Sequence, residues 1–163
     1  MFSPIVDNKF SVKKYIQISQ ILFSGLIIVQ IVFLLVAIFL VQFEGVRFNS
    51  SELNKLYQYA APIMVICILI ISFLFFRNKL KQLQRKSNVF EKLAEYQSAQ
   101  ILRWAFLEGA SFFAIVVFFL TSNYLYLCLV GIIMGTFVFT TPTRNQLEKD
   151  IELSRENKNK LIE

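Results

Sequence analysis

The stretch Ile101–Leu120, with the sequence ILRWAFLEGASFFAIVVFFL, decides the fold of this chain. It is almost entirely apolar and about as long as the roughly 20 residues that an α-helix needs to cross a bilayer. Its single acidic residue, Glu108, lies near the middle. A charged group at that depth costs roughly 2.5–3.5 kcal/mol on scales derived from membrane insertion. Glu108 is therefore the strongest functional candidate in the sequence.

The composition of the whole chain favours a membrane protein. Of its 163 residues, 56% are hydrophobic and 18 are phenylalanine. A soluble domain of this size has no core that could bury so much apolar surface. The net charge of +6 is carried by segments that flank the apolar runs, which is typical of topology signals. We therefore expect the lipid bilayer as a partner, and no nucleic acid.

Four apolar segments predict four transmembrane helices, at about 16–43, 60–76, 100–120 and 124–140. Pro62 suits the first turn of the second helix. The short turn after the third segment makes the third and fourth helices antiparallel neighbours. The predicted fold is all-α: a polytopic membrane protein whose four helices form an antiparallel bundle. Two cysteines inside apolar runs, Cys67 and Cys128, are predicted to be small core residues.

The distribution of Lys and Arg predicts the orientation. These residues are concentrated before the first span, in the link 77–99 and in the tail 141–163, and they are sparse in the other two loops. The positive-inside rule then places both termini and the link in the cytoplasm. The first apolar run is too long for the core of a cleavable signal. We expect one membrane domain, 1–163, that crosses the membrane several times.

The link and the tail both carry helix signals. Apolar residues recur in the link near a 3.6-residue period, which predicts a helical hairpin with a turn at Ser87–Asn88. The alternative is a solvated charged loop. The tail begins with the capping pattern Thr143-x-x-Gln146, which predicts a polar helix after the last span. The hairpin and the tail are the predicted contact surfaces for a homo-oligomer or another membrane protein.

Few residues could carry catalysis. The chain has no histidine, so it lacks the commonest general base and metal ligand. Ser111 follows Glu108 by three residues on roughly the same helix face, but a Ser–Glu pair without histidine is a poor hydrolase. We therefore expect a protein that is not an enzyme and that holds neither a metal nor another cofactor.

Glu108 needs a partner from another helix. Candidate partners are Gln30, Ser24, Ser72 and Thr136, and none of them is a cation. Removal from water disfavours the charged form of a carboxyl, so we expect Glu108 to be protonated. Two interpretations stay open: a neutral hydrogen-bonding group between helices, or an ion-binding carboxyl supported by Ser111 and Gln30. Arg103 is expected to extend toward phosphate headgroups.

Small residues at four-residue spacing predict close helix packing in the third and fourth segments. The pairs share a separation of four positions and are Ala105 with Gly109, Ala110 with Ala114, and Gly131 with Gly135. Packing of these two segments against each other is the main expectation. Contacts between chains in an oligomer are the alternative.

Residues 97–120 resemble the carboxylate helix of the ring-forming proteolipid subunit of rotary ATP synthases. The similar parts are QSAQIL at 97–102 and LEGASFFAIVV at 107–117, which follow a basic polar loop. The resemblance implies that Glu108 corresponds to the carboxylate that binds the transported proton or sodium ion. The whole chain also resembles four-span inner-membrane proteins of Bacteroidota-type bacteria.

The sequence leaves two functions open. The first is a non-enzymatic membrane protein with a structural, assembly or interaction role. The second is a membrane component that binds a proton or cation through Glu108. Their structural signatures differ: a Glu108 that is hydrogen-bonded inside the monomer favours the structural role, and one that faces lipid or another chain favours ion binding.

Overall fold

The computed structural model describes residues 12–43, 51–84 and 89–141, together with Thr143, Leu147 and Asp150. These residues form four α-helices: α1 (Val12–Phe43), α2 (Ser51–Gln84), α3 (Val89–Thr121) and α4 (Leu125–Phe139). No strand occurs in the described ranges. The predicted all-α class is therefore confirmed. The predicted turn at Ser87–Asn88 lies outside the described residues, as does most of the predicted tail helix.

Three helices within the described ranges are long and apolar enough to cross a membrane. The candidate spans are Ile16–Phe43, Asn54–Gln84 and Glu91–Thr121. The helix α4 is apolar but has 15 residues, which corresponds to about 22 Å at a rise of ~1.5 Å per residue. A bilayer core is roughly 30 Å thick. By length and composition, α4 is thus a shorter apolar helix beside three candidate spans.

The start of α2 differs from the prediction. The helix begins at Ser51, before the predicted start near residue 60, so Pro62 lies inside the helix and not in its first turn. A proline removes one backbone hydrogen bond, to residue 58. Ala61 and Val65 are buried in the core on either side of the proline. Packing therefore holds the helix together where local propensity opposes it.

The helix α3 is the centre of the bundle, because it packs against each of the other three helices. The contacts between α1 and α3 progress in the same direction along both helices. The ring of Phe23 lies 5.4 Å from that of Trp104, and the ring of Phe33 lies 5.0 Å from that of Phe112. The helices α1 and α3 are therefore parallel.

The helices α2 and α4 run antiparallel to α3. At one end of the bundle, the Asn123 side-chain amide donates to Asn54 Oδ1 over 3.4 Å. At the other end, Gln100 Nε2 donates to the carbonyl oxygen of Thr140 over 2.9 Å. Between α3 and α4 the chain reverses at Ser122, whose φ of 52° is left-handed.

Buried side chains form two clusters. The larger one surrounds the middle and far end of α3 and includes Trp104, Leu107, Ile115 and Phe118. The smaller one lies where α2 and α3 extend together toward residues 84 and 89. Its members are Phe76, Leu83, Leu93, Tyr96, Ala99 and Leu147. The second cluster shows that α2 and α3 stay packed beyond the larger cluster, and that Leu147 of the C-terminal segment is buried there.

The predicted core position of the two cysteines is wrong. Cys67 and Cys128 are both free thiols on the exposed surface of the bundle. Their helices are apolar on nearly all sides, so the position of an apolar residue along the sequence does not reveal which way it faces.

Candidate functional site around Glu108

Glu108 lies on the border between the buried and the exposed sides of α3. Trp104 and Ser111 are completely buried and share its face at helical spacing. Ala105 and Gly109, on its other side, are exposed. Glu108 itself is half-buried. Its carboxyl group is therefore placed at the edge of the core and within reach of the outer surface.

The helix α1 covers the side of α3 that carries Glu108. The two ring contacts between α1 and α3 lie one turn before and one turn after Glu108. Gln30 precedes Phe33 by nearly one turn, and because the helices are parallel it lies at about the depth of Gly109, between Glu108 and Ser111. The predicted supporting residues, Gln30 and Ser111, are thus at the same level of the bundle as Glu108.

Three polar atoms at this level have no hydrogen-bond partner in the part of the chain that the structure describes. Both amide atoms of Gln30, and Ser111 Oγ, are buried without a hydrogen bond. Glu108 makes no hydrogen bond and no ion pair with any residue that the structure describes. Leaving a buried polar group unpaired costs about 1–3 kcal/mol. The level of Glu108 therefore combines unmet hydrogen-bonding capacity with otherwise apolar surroundings.

The other predicted partners lie elsewhere. Thr136 Oγ1 donates to the carbonyl of Ile132 in its own helix over 2.9 Å, and Ser24 is exposed. Ser72 Oγ is buried and unpartnered, but it belongs to α2. That helix packs on roughly the opposite side of α3, where the rings of Phe75 and Phe106 lie 6.2 Å apart. Only Gln30 therefore lies on the same side as Glu108.

The six small residues of α3 and α4 fall into two groups. Ala110 and Ala114 are completely buried in the larger cluster. The other four are exposed or half-exposed: Ala105, Gly109, Gly131 and Gly135. A Cβ atom added at any of these three glycines meets no heavy atom within 4 Å. The alanine pair therefore lies inside the bundle, whereas the glycines leave close-approach surface on its outside.

A second cluster of polar residues, formed by Tyr96, Arg103 and Asp150, lies nearer the start of α3, and no sequence pattern predicted it. The Arg103 guanidinium stacks over the Phe76 ring, 4.7 Å from its centre. The Tyr96 hydroxyl donates to Asp150 Oδ2 over 2.9 Å. Arg103 attracts both Tyr96 and Asp150 electrostatically, so it faces a protein carboxylate in addition to any headgroup. Tyr96 and Asp150 are 54 positions apart, which is why no local pattern links them.

The charge state of Asp150 reflects these neighbours. Burial raises the pKa of the Asp150 carboxyl above its ordinary value, while the Tyr96 hydrogen bond and the Arg103 charge act against the rise. Burial disfavours the charged form, and a donated hydrogen bond or a nearby cation favours it.

Metal binding has no obvious site in the part of the chain that the structure describes, since no three Cys, Asp or Glu side chains come together there. No protein-family model, curated protein or solved structure matches this chain. The similarity of residues 97–120 to the rotary proteolipid helix therefore stays a prediction.

Proposed function

We propose that this chain is a non-enzymatic integral protein of the bacterial inner membrane with a structural or assembly role. In this role Glu108 binds a neighbouring polypeptide through a hydrogen bond, and not a group inside the monomer as the sequence led us to expect for a structural role. One observation carries the proposal: Glu108 reaches the outer surface at the middle of a candidate span and has no partner among the described residues. A carboxyl at that depth is costly unless something else satisfies it.

The surface beside Glu108 suits a close neighbour. Ala105 and Gly109 are exposed next to it, and nothing lies within 4 Å of a Cβ placed at Gly109. Small residues let two helix backbones approach, and a polar side chain then forms a hydrogen bond across the contact. Such bonds are worth about 0.6–2 kcal/mol in membranes, enough to bias association without fixing it.

The proposal includes the topology. Four spans with both termini in the cytoplasm agree with the charge distribution. Ile133 and Phe137 on α4 are completely buried in the larger cluster, so α4 stands beside α3 as a bundle member despite its length. A reporter fused after Asn49 should be active outside and one fused after Ser87 should be active inside. A reporter after Ser87 that is active outside contradicts this topology.

The assembly role is tested by substitution at Glu108. Glu108→Gln keeps the shape and a hydrogen-bond donor, so the mobility of the complex in native gels should stay unchanged. Glu108→Leu should weaken association by about 0.6–2 kcal/mol. Ile70→Leu is the control, because Ile70 is 52% exposed on α2, which packs on the side of α3 opposite Glu108. Wild-type protein that is monomeric in bilayers, and unaltered by Glu108→Leu, contradicts the proposal.

The second candidate function is binding of a proton or cation at Glu108. The position of Glu108 at the outer edge of α3 is the signature expected above for this function. The unpartnered oxygen atoms of Gln30 and Ser111 at the same level and the proteolipid resemblance also favour it. Under this function, Glu108→Gln abolishes ion-linked activity while the protein stays folded and associated. Dicyclohexylcarbodiimide should label Glu108 of the wild type, with labelling that falls as pH rises. Absence of labelling at every pH, with reagent access shown by a control carboxyl, removes this candidate.

A further inference from the structure

The C-terminal segment is attached to the end of the α2–α3 pair. Leu147 is only 2% exposed and packs in the smaller cluster with Leu83, Leu93 and Tyr96. The backbone N–H of Leu147 donates to the carbonyl of Thr143 over 3.1 Å, which orients one turn of this segment. Burying a leucine side chain contributes about 1.5–3 kcal/mol. Leu147 therefore attaches the chain at the end of the bundle where Asp150 meets Tyr96.

Phe76 fixes two anion-binding groups next to each other. Tyr96 and Arg103 are seven residues apart, so they project from the same side of α3 two turns apart. The Phe76 ring meets the Tyr96 ring edge-on at 5.8 Å and carries the Arg103 guanidinium at 4.7 Å. One aromatic ring of α2 thus holds a hydroxyl donor and a cation in a fixed relation.

Asp150 satisfies only one of these two groups by direct contact. Its Oδ2 accepts the hydrogen bond from Tyr96. Arg103 attracts the carboxylate, but no ion pair joins Arg103 to any residue in the described part of the chain. Asp150 therefore occupies one of the two donors, and the Arg103 guanidinium can still donate hydrogen bonds to another anion.

We propose that Tyr96 and Arg103 form a binding site for a phosphate group, and that Asp150 is its internal occupant. A phosphate presents several charged oxygens, so it can accept from the hydroxyl and from the guanidinium at once. The group is supplied either by an anionic phospholipid or by phosphate in solution. Phosphate binding displaces Asp150 and with it releases Leu147 from the smaller cluster. This site lies apart from Glu108 and does not depend on the role proposed for it.

The position of the site on α3 suits a headgroup. Arg103 immediately precedes Trp104, which is completely buried in the larger, apolar cluster. On the N-terminal side of Arg103 along α3 lies the smaller cluster, which contains Leu147 from the segment after α4. Arg103 thus lies where the apolar part of the bundle gives way to its polar extension, and long basic side chains reach phosphates at such boundaries.

The test follows limited proteolysis of the tail in the full-length chain, timed in bilayer discs. In phosphatidylcholine the docked tail should be cleaved slowly. Adding phosphatidylglycerol should raise the rate several-fold if a lipid phosphate fills the site. A rise caused by inorganic phosphate in phosphatidylcholine discs, at constant ionic strength, identifies the soluble source. No rise with either overturns the proposal.

Two arginine variants distinguish a specific phosphate site from general attraction to the positive charge of the surface. Arg103→Gln should abolish the rise in rate. Arg77→Gln should preserve it, because Arg77 is an exposed cation at the same end of α2. Equal loss in both variants overturns the proposal in favour of non-specific attraction.

A measurement on the unmodified chain guards against misfolded variants. The chain has a single tryptophan, Trp104, next to Arg103. Phosphatidylglycerol with brominated acyl chains should quench its fluorescence more strongly than brominated phosphatidylcholine at the same content. Equal quenching by the two lipids overturns the lipid form of the proposal. If inorganic phosphate also leaves the rate of tail cleavage unchanged, the soluble form is overturned as well.

Discussion

Two half-buried carboxyl groups near α3 have opposite surroundings. Asp150 accepts a hydrogen bond from Tyr96 and lies in the field of Arg103. Glu108 lies among apolar and small residues and has no partner within the described chain. The contrast separates two uses of a carboxyl: one fastens a segment of the chain to itself, and the other is left available to another molecule.

The largest expected effect tests how the C-terminal segment is attached near Asp150. Leu147→Ala should destabilise docking of the C-terminal segment by about 2–5 kcal/mol, because a buried leucine is replaced by a cavity. Limited proteolysis of the tail measures this effect. Leu125→Ala is the control, since Leu125 is 66% exposed, and it should change proteolysis little. Similar tail cleavage in wild type and Leu147→Ala would show that the leucine does not hold the segment.

The second largest effect concerns the unpaired polar groups at the level of Glu108. Gln30→Leu replaces a buried amide that has no hydrogen bond by an apolar group of similar size. It should stabilise the bundle by about 1–3 kcal/mol, measured by thermal denaturation in detergent. Gln20→Leu, at an exposed position of the same helix, should have little effect. Destabilisation by Gln30→Leu would instead reveal that Gln30 bonds to Glu108 or Ser111 in the membrane.

A smaller effect distinguishes free surface from contact surface beside Glu108. Gly109→Ala fills open space and should stabilise the helix of the isolated chain by about 1 kcal/mol through helix propensity. The same change should weaken association if a neighbouring helix packs there. Thermal denaturation and native-gel mobility measure the two effects separately. Unchanged mobility together with raised stability would show that no helix approaches at Gly109.

The smallest effect is the pH dependence of Asp150. Burial raises its pKa in the docked state above the ordinary value, so docking favours the protonated form. Stability from this group is complete below the ordinary aspartate range and is lost as pH rises through the raised pKa. Because the group is only partly buried, the change should stay under about 1 kcal/mol. Tail proteolysis should therefore be slower in acid, and Asp150→Asn should remove that dependence.

The sequence was sufficient for the helical class, because long apolar runs have few other solutions. It was not sufficient for the direction in which residues face. Cys67 and Cys128 lie on the outside because helices that are apolar all round carry no amphipathic signal. Packing around Pro62 overrode the expected helix start. The pairing of Tyr96 with Asp150 depends on tertiary contact, which no local pattern encodes.

The central position of α3 has a consequence for biosynthesis. A ribosome completes α1 and α2 before it reaches α3, yet α3 is the helix on which both of them pack. Until Thr121 has been added, the first two helices lack the surface that joins them. Because of this order of synthesis, the bundle can assemble only once α3 has been made. A chain truncated before residue 89 leaves α1 and α2 without the helix on which both pack.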